Sequence, residues 1–332
     1  MKLLLKITIS WILWGIGFYL YYPFLSIFLV RYIRPSELGF FYLITLIFSL
    51  PLPYIGGKIN KKIGEKYSIF IGMSISGLGI LLFPFANSAI SLYVFMTMYN
   101  SFYIALPAFY ELMDTEGKGT ISKVWAISVL PSIFMPSIGG LISQYLGFTY
   151  LFILSSIFII LTSFPLFTQK EIKNECQKIT PSLIISLIII PIALSGQFIY
   201  LVAKEMYNLS YTLIGIIATF AELLGSVVAF TSSFISNKRA INISLLLFSL
   251  QSLIIFSPYF SIFYGLWESL LPLSLSLSKK DYVSAVTMQI LGWILGYLIA
   301  SISQTPKYDI FLSSIISLIV LAILNFRKSH TA

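Results

Sequence analysis

The sequence predicts an all-α membrane protein in which twelve transmembrane helices form two pseudo-symmetric six-helix bundles. Three observations support this prediction: the composition, the spacing of the apolar runs and the distribution of the basic residues. Apolar residues make up 58% of the 332 residues, and charged residues only 10%. Soluble surfaces carry far more charge than this, so the composition excludes the soluble classes.

The apolar runs are long enough for helices that cross a bilayer, which takes about 20 residues each. Charged residues, Pro and Gly breaks and short polar clusters set their boundaries. The first run continues to Val30 with no small-residue cleavage pattern, so we expect an uncleaved first span and no signal peptide. The predicted spans are 7–30, 37–57, 67–87, 89–110, 124–146, 149–168, 182–203, 211–235, 241–257, 259–278, 283–303 and 307–326.

The basic residues support this count and give an orientation. With both termini on the inner side, 17 of the 21 Lys and Arg residues fall in inner segments and four in outer segments. Cytoplasmic segments of membrane proteins carry such an excess. We therefore expect a multi-pass protein of the plasma membrane with cytoplasmic N- and C-termini. The net charge of +9 has this topological role, and no nucleic-acid partner is expected.

The halves of the chain resemble each other. The longest inner segment falls midway, so we predict a six-helix bundle at 1–168, a cytoplasmic linker at 169–181 and a second bundle at 182–332. An offset of 176 residues places Gly39 on Gly215. An offset of 156 residues places two residues of span 5 on two of span 11, namely Pro136 and Gly140 on Gly292 and Gly296. Duplicated halves are typical of secondary transporters.

Three segments carry a resemblance to a known family. "GKINKKIGEK" (57–66), "PSIGGLISQYLGFTYLF" (136–152) and "YPFLSIFLVRYIRPSELG" (22–39) are similar to motifs of the major facilitator superfamily. The order of the three segments, the spacing between them and the membrane side on which each is expected all agree with that family. The resemblance implies the twelve-helix fold, transport by alternating access and no cofactor.

The first of these segments matches the family's gating loop between helices 2 and 3, in which the resemblance places Gly57, Lys62, Gly64 and Lys66. Lys61 stands where the family has an aspartate that faces the start of helix 11. Asp281 precedes span 11 on the same membrane face. We therefore predict that Lys61 and Asp281 pair as a charge-swapped latch when the protein is open to the outside.

The glycines of span 5 suggest a hinge or packing contact. Small residues let helix backbones approach closely, and a proline interrupts the helix hydrogen bonds. In the resembled family this segment lies where the two halves meet. We expect a role in the transport cycle for Pro136, Gly139, Gly140, Gly292 and Gly296.

Glu222 and Glu268 are the acidic residues deep inside predicted spans, and no Lys or Arg lies at that depth. A charge at mid-membrane costs at least about 2.5 to 3.5 kcal/mol, so each carboxyl requires an explanation. Two roles are open: proton coupling or counter-charge for a cationic solute, and a neutral hydrogen bond that only joins helices.

Other polar and aromatic residues lie on the helices that line the cavity in the resembled family. Asn100 and Tyr103 are three residues apart, as are Gln197 and Tyr200, so each pair is expected to share a helix face. The candidate substrate or proton-coupling residues are Glu222, Glu268, Asn100, Tyr103, Gln197, Tyr200, Trp267, Gln289 and Trp14.

These observations favour a proton-coupled secondary transporter of a small organic solute, in particular an exporter of amphipathic or cationic compounds. A sugar or metabolite uniporter or symporter is the alternative, and a non-transporting sensor or assembly protein is the alternative of another class. The single Cys176 and single His330 exclude a Cys/His metal cluster or a Ser-His-Asp triad, so we expect no enzyme and no metal. The expected partners are the solute, protons and lipids, and the expected state is a monomer.

Overall fold

The computed structural model describes residues 3–115, 121, 124–125, 133–167, 182–232, 234–275 and 281–326. These residues fold into helices with no strand among them. Ten of the helices are long and apolar enough to cross a membrane. We number them with α5 and α10 left for the next paragraph: α1 Leu3–Leu29, α2 Pro35–Ile63, α3 Glu65–Phe85, α4 Ala89–Asp114, α6 Phe148–Leu166, α7 Leu183–Tyr207, α8 Tyr211–Ser232, α9 Asn237–Ile255, α11 Tyr282–Ser303 and α12 Pro306–Phe326.

Two predicted spans are described only in part. Helix α5 covers Met135–Tyr145, and α10 consists of a 3-10 segment, Pro258–Leu266, continued by the α-helix Trp267–Leu275. The predicted spans 124–146 and 259–278 reach beyond the described residues, so the count of twelve stays a prediction. The predicted linker 169–181 also lies outside the described residues.

The outer surfaces of the helices are apolar. Large side chains such as Ile90, Ile302 and Phe326 are about three-quarters exposed. In water this would be an aggregation hazard, but lipid tails are the natural neighbours of such side chains. The helix surfaces therefore fit a bilayer, as the composition predicted.

The predicted loop at 57–66 is not a loop. Helix α2 continues to Ile63 and α3 begins at Glu65, so Gly64 alone separates them. Its φ of 98° is a conformation that favours glycine. Lysines extend a helix beyond the apolar run because their amino groups reach water and complement the negative end of the helix dipole. The boundary at residue 57 was wrong for this reason.

Several helices are interrupted near their middle. Helix α4 stops at Tyr99 and resumes at Phe102, and α7 stops at Gly196 and resumes at Ile199. At the second break the carbonyl of Gly196 accepts a hydrogen bond from the Tyr22 hydroxyl, 3.1 Å away. Interrupted helices inside a membrane are tolerated where the freed backbone groups find partners or line a cavity.

Two helix pairs join the first half of the chain to the second through glycines. A Cβ added to Gly39 of α2 would lie 2.6 Å from the Ala300 carbonyl carbon of α11, and one added to Gly215 of α8 would clash with the backbone of Pro136 in α5. The α5–α8 contact also contains a 2.7 Å hydrogen bond between Ser137 and Thr219. The repeat places Gly39 on Gly215, so equivalent glycines make the equivalent contact in each half.

Candidate functional site

A cavity of about 90 Å³ lies where the helices of the two halves meet. Of the described residues, 21 line it: 14 are aromatic, four are Leu or Met and three are carboxamides. None of these 21 is acidic or basic. The walls come from α1, α2, α4, α7, α10 and α11 together with Trp125, so both halves of the chain contribute.

Six of the nine candidate substrate or proton-coupling residues line this cavity: Trp14, Asn100, Tyr103, Gln197, Trp267 and Gln289. Tyr200 is buried but is not a lining residue. Helix α7 is interrupted between Gln197 and Tyr200, and of these two residues only Gln197 lines the cavity. Glu222 and Glu268 are also absent from the lining.

The chain has five tryptophans, and every one lines the cavity: Trp11, Trp14, Trp125, Trp267 and Trp293. Trp11 and Trp14 stack with ring centroids 4.8 Å apart, and Trp125 lies 5.1 Å from Trp11. The sequence analysis did not select Trp125, because it stands at the predicted start of span 5 and resembles an interfacial anchor there. The tryptophan fluorescence of the protein therefore comes entirely from residues that line this cavity.

Glu268 is fully buried and is held by two donors from the first half of the chain. The Tyr19 hydroxyl donates to Oε1, and the Trp125 indole Nε1 donates to Oε2. Tyr19 lies on α1 and Glu268 on α10, so this carboxyl connects helices of the two halves. Neither donor could be selected from the sequence, since nothing in a local pattern shows which of 21 tyrosines meets a given carboxyl.

Glu222 lies beside Glu268 and Trp267 and is 1% exposed. The Trp267 indole and the Glu268 carboxyl both act on the Glu222 carboxyl as hydrogen-bonding neighbours, although neither makes a well-formed hydrogen bond to Oε2. The two helices are in backbone contact here: a Cβ on Gly225 of α8 would lie 2.9 Å from the Glu268 Cβ on α10. Two carboxyls this close and this buried are not both charged, because desolvation and mutual repulsion oppose the second charge.

A second hydrogen bond between the halves joins two tyrosines. The hydroxyls of Tyr22 on α1 and Tyr264 on α10 are bonded to each other. Further toward the outer side, Tyr42 of α2 stacks on Tyr297 of α11 with centroids 5.1 Å apart. Aromatic residues therefore close the region between the halves at several levels.

At the end of α11 that the charge distribution predicts to be cytoplasmic, Asp281 caps the helix. Its Oδ1 accepts from the Ser284 backbone N–H at 3.0 Å, and its Oδ2 accepts from the Ser284 hydroxyl at 2.5 Å. Aspartate before the first helical turn is a frequent cap, so the sequence carried this signal. Lys61 is exposed. The proposed latch concerns the state open to the outside and stays a prediction.

Glu111 of α4 is a carboxyl of this inner region that the sequence analysis missed. It accepts a 3.3 Å hydrogen bond from the Asn60 amide, and both Lys61 and Asp281 lie close enough to act on it electrostatically. Its position just past the predicted end of span 4 concealed it. Lys61 thus acts on a carboxyl, that of Glu111, which had not been selected from the sequence.

No group of three or more His, Cys, Asp or Glu side chains within the described ranges is arranged to hold a metal ion. The donors that line the cavity are carboxamides, tyrosine hydroxyls and indole N–H groups. These groups are suited to hydrogen bonds with an organic molecule.

The glycines predicted as a hinge lie in tight helix contacts. A Cβ on Gly140 would lie 2.6 Å from the Tyr211 carbonyl oxygen of α8, and Gly139 meets the Leu20 carbonyl of α1. Gly292 and Gly296 of α11 pack against α7, where the Gly292 Cβ would lie 2.6 Å from Ile189. Gly140 therefore contacts the opposite half, while Gly139 and the two glycines of span 11 contact their own half.

Comparison with known proteins identifies the relatives of this fold. The sequence profile described as Major Facilitator Superfamily matches residues 7–278. Among curated protein sequences, none matches the chain.

Solved structures resemble the chain over nearly its whole length. A variant of the nucleoside transporter NupG superposes with a TM-score of 0.72 at 12% identity, covering 97% of this chain and 99% of that one. An auto-inhibited POT family peptide transporter gives 0.72 at 10% identity, covering 100% and 98%. The E. coli fucose:proton symporter FucP gives 0.66 at 11% identity, covering 98% of each chain. At such identities the likeness shows the fold.

Proposed function

The chain belongs to the major facilitator superfamily, and from this membership we propose that it is a secondary transporter that moves a small organic solute by alternating access, coupled to protons through Glu268 and Glu222. The observation that carries the coupling is the pair of hydrogen bonds that Glu268 accepts from Tyr19 and Trp125. These bonds cross from one half of the chain to the other, and the halves must separate on one side in each transport cycle.

The coupling follows from what a proton does to these bonds. A charged carboxylate accepts from both donors, and charge-assisted hydrogen bonds are the stronger ones. Once Glu268 takes up a proton, one of its oxygens is a hydroxyl, so the bonds from Tyr19 and Trp125 weaken. Protonation therefore loosens a contact between the halves and deprotonation tightens it.

Glu222 is the proposed neighbour in the proton transfer. It lies beside Glu268, and its Oε2 makes no well-formed hydrogen bond. One proton shared by two adjacent carboxyls avoids two buried charges. Glu222 thus keeps a proton close to Glu268 at little electrostatic cost.

The remaining parts of the proposal follow the family and the charge distribution. The transporter lies in the plasma membrane with both termini in the cytoplasm, works as a monomer among lipids and exports its solute. The glycine contacts of α5 with α8 and of α2 with α11 support movement of the two six-helix bundles as rigid bodies, because smooth helix surfaces slide and re-form without trapped side chains.

The coupling is tested by distances between spin labels. In a Cys176→Ser background, one pair of labels is placed at the inner ends, Ile63→Cys with Ile235→Cys, and one pair at the outer ends, Asn87→Cys with Tyr259→Cys. We expect the inner and outer distances to change in opposite directions when the buffer is changed from acidic to alkaline, because the proton is then lost from the buried pair.

The variant Glu268→Gln cannot exchange a proton, so both distances should become independent of pH. Glu37→Gln is the matched control because Glu37 is an exposed carboxylate at the outer end of α2. The control should keep the pH response of the parent. A response that survives in Glu268→Gln, or none in the parent, contradicts the proposed coupling.

A further inference from the structure

We propose that the solute is an uncharged, planar aromatic molecule with a polar edge that both donates and accepts hydrogen bonds, as a lactam does. The inference rests on the proposed transport function and names the class of solute for the same cavity. Three properties of the cavity carry it: its charge, the arrangement of its rings and its unpaired polar atoms.

The first property is the absence of charge. None of the described lining residues is acidic or basic. Glu268 lies behind the wall, with both oxygens engaged by Tyr19 and Trp125. A charged solute would lose its water and find no counter-charge, which is strongly unfavourable. The cavity therefore favours a neutral solute over the cationic compound that the aromatic and carboxylate residues of the sequence first suggested.

The second property is the parallel arrangement of rings within each wall. On α1, Trp14 and Phe18 stack at 4.8 Å and 12°, and Phe18 and Tyr22 stack at 4.6 Å and 29°. On the α2 and α11 side, Tyr42 stacks on Tyr297 at 25°, and Tyr297 lies at 25° to Trp293. Rings of one common orientation favour a flat aromatic solute, because such a solute can continue a stack or lie edge-to-face against it, whereas a globular solute can do neither.

The third property is a small set of unpaired polar atoms. Nε2 of Gln289 is a buried donor without an acceptor, Oε1 of Gln197 is a buried acceptor without a donor, and the hydroxyl of Tyr110 is buried without a partner. All three residues line the cavity. Unpaired buried polar groups are unfavourable until a ligand satisfies them. A carbonyl accepts from two donors and an adjacent N–H donates to one acceptor, so a lactam edge matches this set.

The same inventory argues against a sugar. A sugar also stacks on aromatic rings, but it presents hydroxyls around its whole rim, and each needs a partner once buried. The polar groups of the lining are three carboxamides, tyrosine hydroxyls and indole N–H groups set among apolar side chains, and the hydroxyls of Tyr22, Tyr264 and Tyr42 are already bonded to protein partners. Several sugar hydroxyls would therefore face apolar rings.

The test uses four probes on the purified full-length protein. Carbostyril is a neutral bicyclic lactam, N-methylquinolinium is a cation and quinaldate an anion of similar shape, and glucose represents the sugars. Binding is measured by the quenching of tryptophan emission, corrected for probe absorption, and by the shift of the unfolding temperature. Quenching is diagnostic here because all five tryptophans line the cavity.

Carbostyril should quench the emission, raise the unfolding temperature and bind at least about tenfold more tightly than the other three probes. The variant Gln289→Leu should weaken carbostyril binding about tenfold. Gln251→Leu is the matched control: Gln251 is equally buried, but it bonds Ser313 and does not line the cavity. It should bind carbostyril as the parent does.

Equal or tighter binding of the cation, the anion or glucose overturns the inference, and so does the absence of any response to carbostyril. An equal loss in Gln289→Leu and Gln251→Leu also overturns it, because the loss would then come from general destabilisation. The spin-label distances use no solute. A failure of the solute class therefore leaves the proton-coupling result unchanged, and the two failures can be told apart.

Discussion

Glu268 and Glu222 lie at a similar predicted depth in the membrane, but their hydrogen-bond partners differ. Glu268 accepts from Tyr19 and Trp125, whereas Oε2 of Glu222 makes no well-formed hydrogen bond. The donors stabilise the charged form of Glu268 relative to that of its neighbour. In the proposed coupling, Glu222 is therefore the member of the pair that holds the shared proton at rest.

The hydrogen bond from Tyr19 is testable by removing one oxygen. In Tyr19→Phe a buried oxygen of Glu268 loses its donor, so we expect the free energy of unfolding to fall by about 1–3 kcal/mol. Thermal unfolding of the purified protein measures this. Tyr110→Phe is the control, since the Tyr110 hydroxyl is as deeply buried but has no partner. Equal losses in the two variants would show that the bond to Glu268 has no special role.

Single residues could be selected from the sequence where one residue type was out of place, whereas contacts between helices could not be predicted from it. A carboxyl in an apolar run is conspicuous, so Glu222 and Glu268 could be selected from the sequence. Their partners could not, because Tyr19 is 249 positions from Glu268 and is one of 21 tyrosines. That neither carboxyl lines the cavity could not be predicted either, because it also depends on contacts between helices.

At the scale of the helices, α2 combines a packing contact near one end with a basic segment at the other. Its outer part contacts α11 at Gly39, and its inner part carries the lysines that end at Gly64. Apolar runs predicted the position of most helices well, because each run must satisfy its backbone within itself. They could not predict the breaks in α4 and α7, since Asn100–Ser101 and Ser195–Gly196–Gln197 lie inside apolar runs that are each long enough for one continuous span.

The contact of α2 with α11 gives a prediction about glycine. Gly39→Ala forces a methyl group against the backbone of Ala300, and backbone cannot rotate away. We expect a loss of about 1–3 kcal/mol in unfolding free energy, as for overpacking in general. Gly57→Ala in the same helix is the control, because its methyl group would meet a Val283 side-chain methyl at 2.8 Å. A loss as large in Gly57→Ala as in Gly39→Ala would mean that the backbone contact is unimportant.

The inner ends of α2 and α11 test the predicted latch. Asp281→Ser keeps a cap for α11, because serine is as good a cap as aspartate, but it removes the charge. If Lys61 and Asp281 pair in the outward-open state, Asp281→Ser and Lys61→Gln should each shift the inner spin-label distances toward the open form. The double variant should then shift them no further than either single one.

Additive shifts in the double variant would contradict the latch, since independent effects add and those of a contacting pair do not. Glu111 is the other carboxyl near Lys61. In that case a shift in Lys61→Gln that is abolished by Glu111→Gln would assign the partner to Glu111.

At the scale of the whole molecule, the fold was predictable because its evidence is distributed along the chain. Composition, positive charge on one side and three short motifs agreed, and the superfamily match over residues 7–278 confirmed the family. The solute class was not predictable in this way. It depends on which side chains of α1, α2, α4, α7, α10 and α11 converge on one cavity, and only the packed structure brings them together.

The central claim is that one cavity becomes accessible from each side of the membrane in turn. The chain has a single cysteine, so Cys176→Ser provides a background without thiols. Leu46 lines the cavity, and Leu46→Cys places one thiol there. The control thiols, Ile63→Cys and Asn87→Cys, lie at the inner and outer ends and report which face of a sealed vesicle the reagent reaches.

The deciding measurement is the labelling of Leu46→Cys by a membrane-impermeant maleimide added to right-side-out and to inside-out vesicles. Alternating access predicts that the cavity thiol reacts from both sides, while Ile63→Cys reacts only from the inner face and Asn87→Cys only from the outer face. If Leu46→Cys reacts from one side alone in vesicles where both controls behave as expected, the cavity does not alternate and the transport mechanism proposed for this chain is wrong.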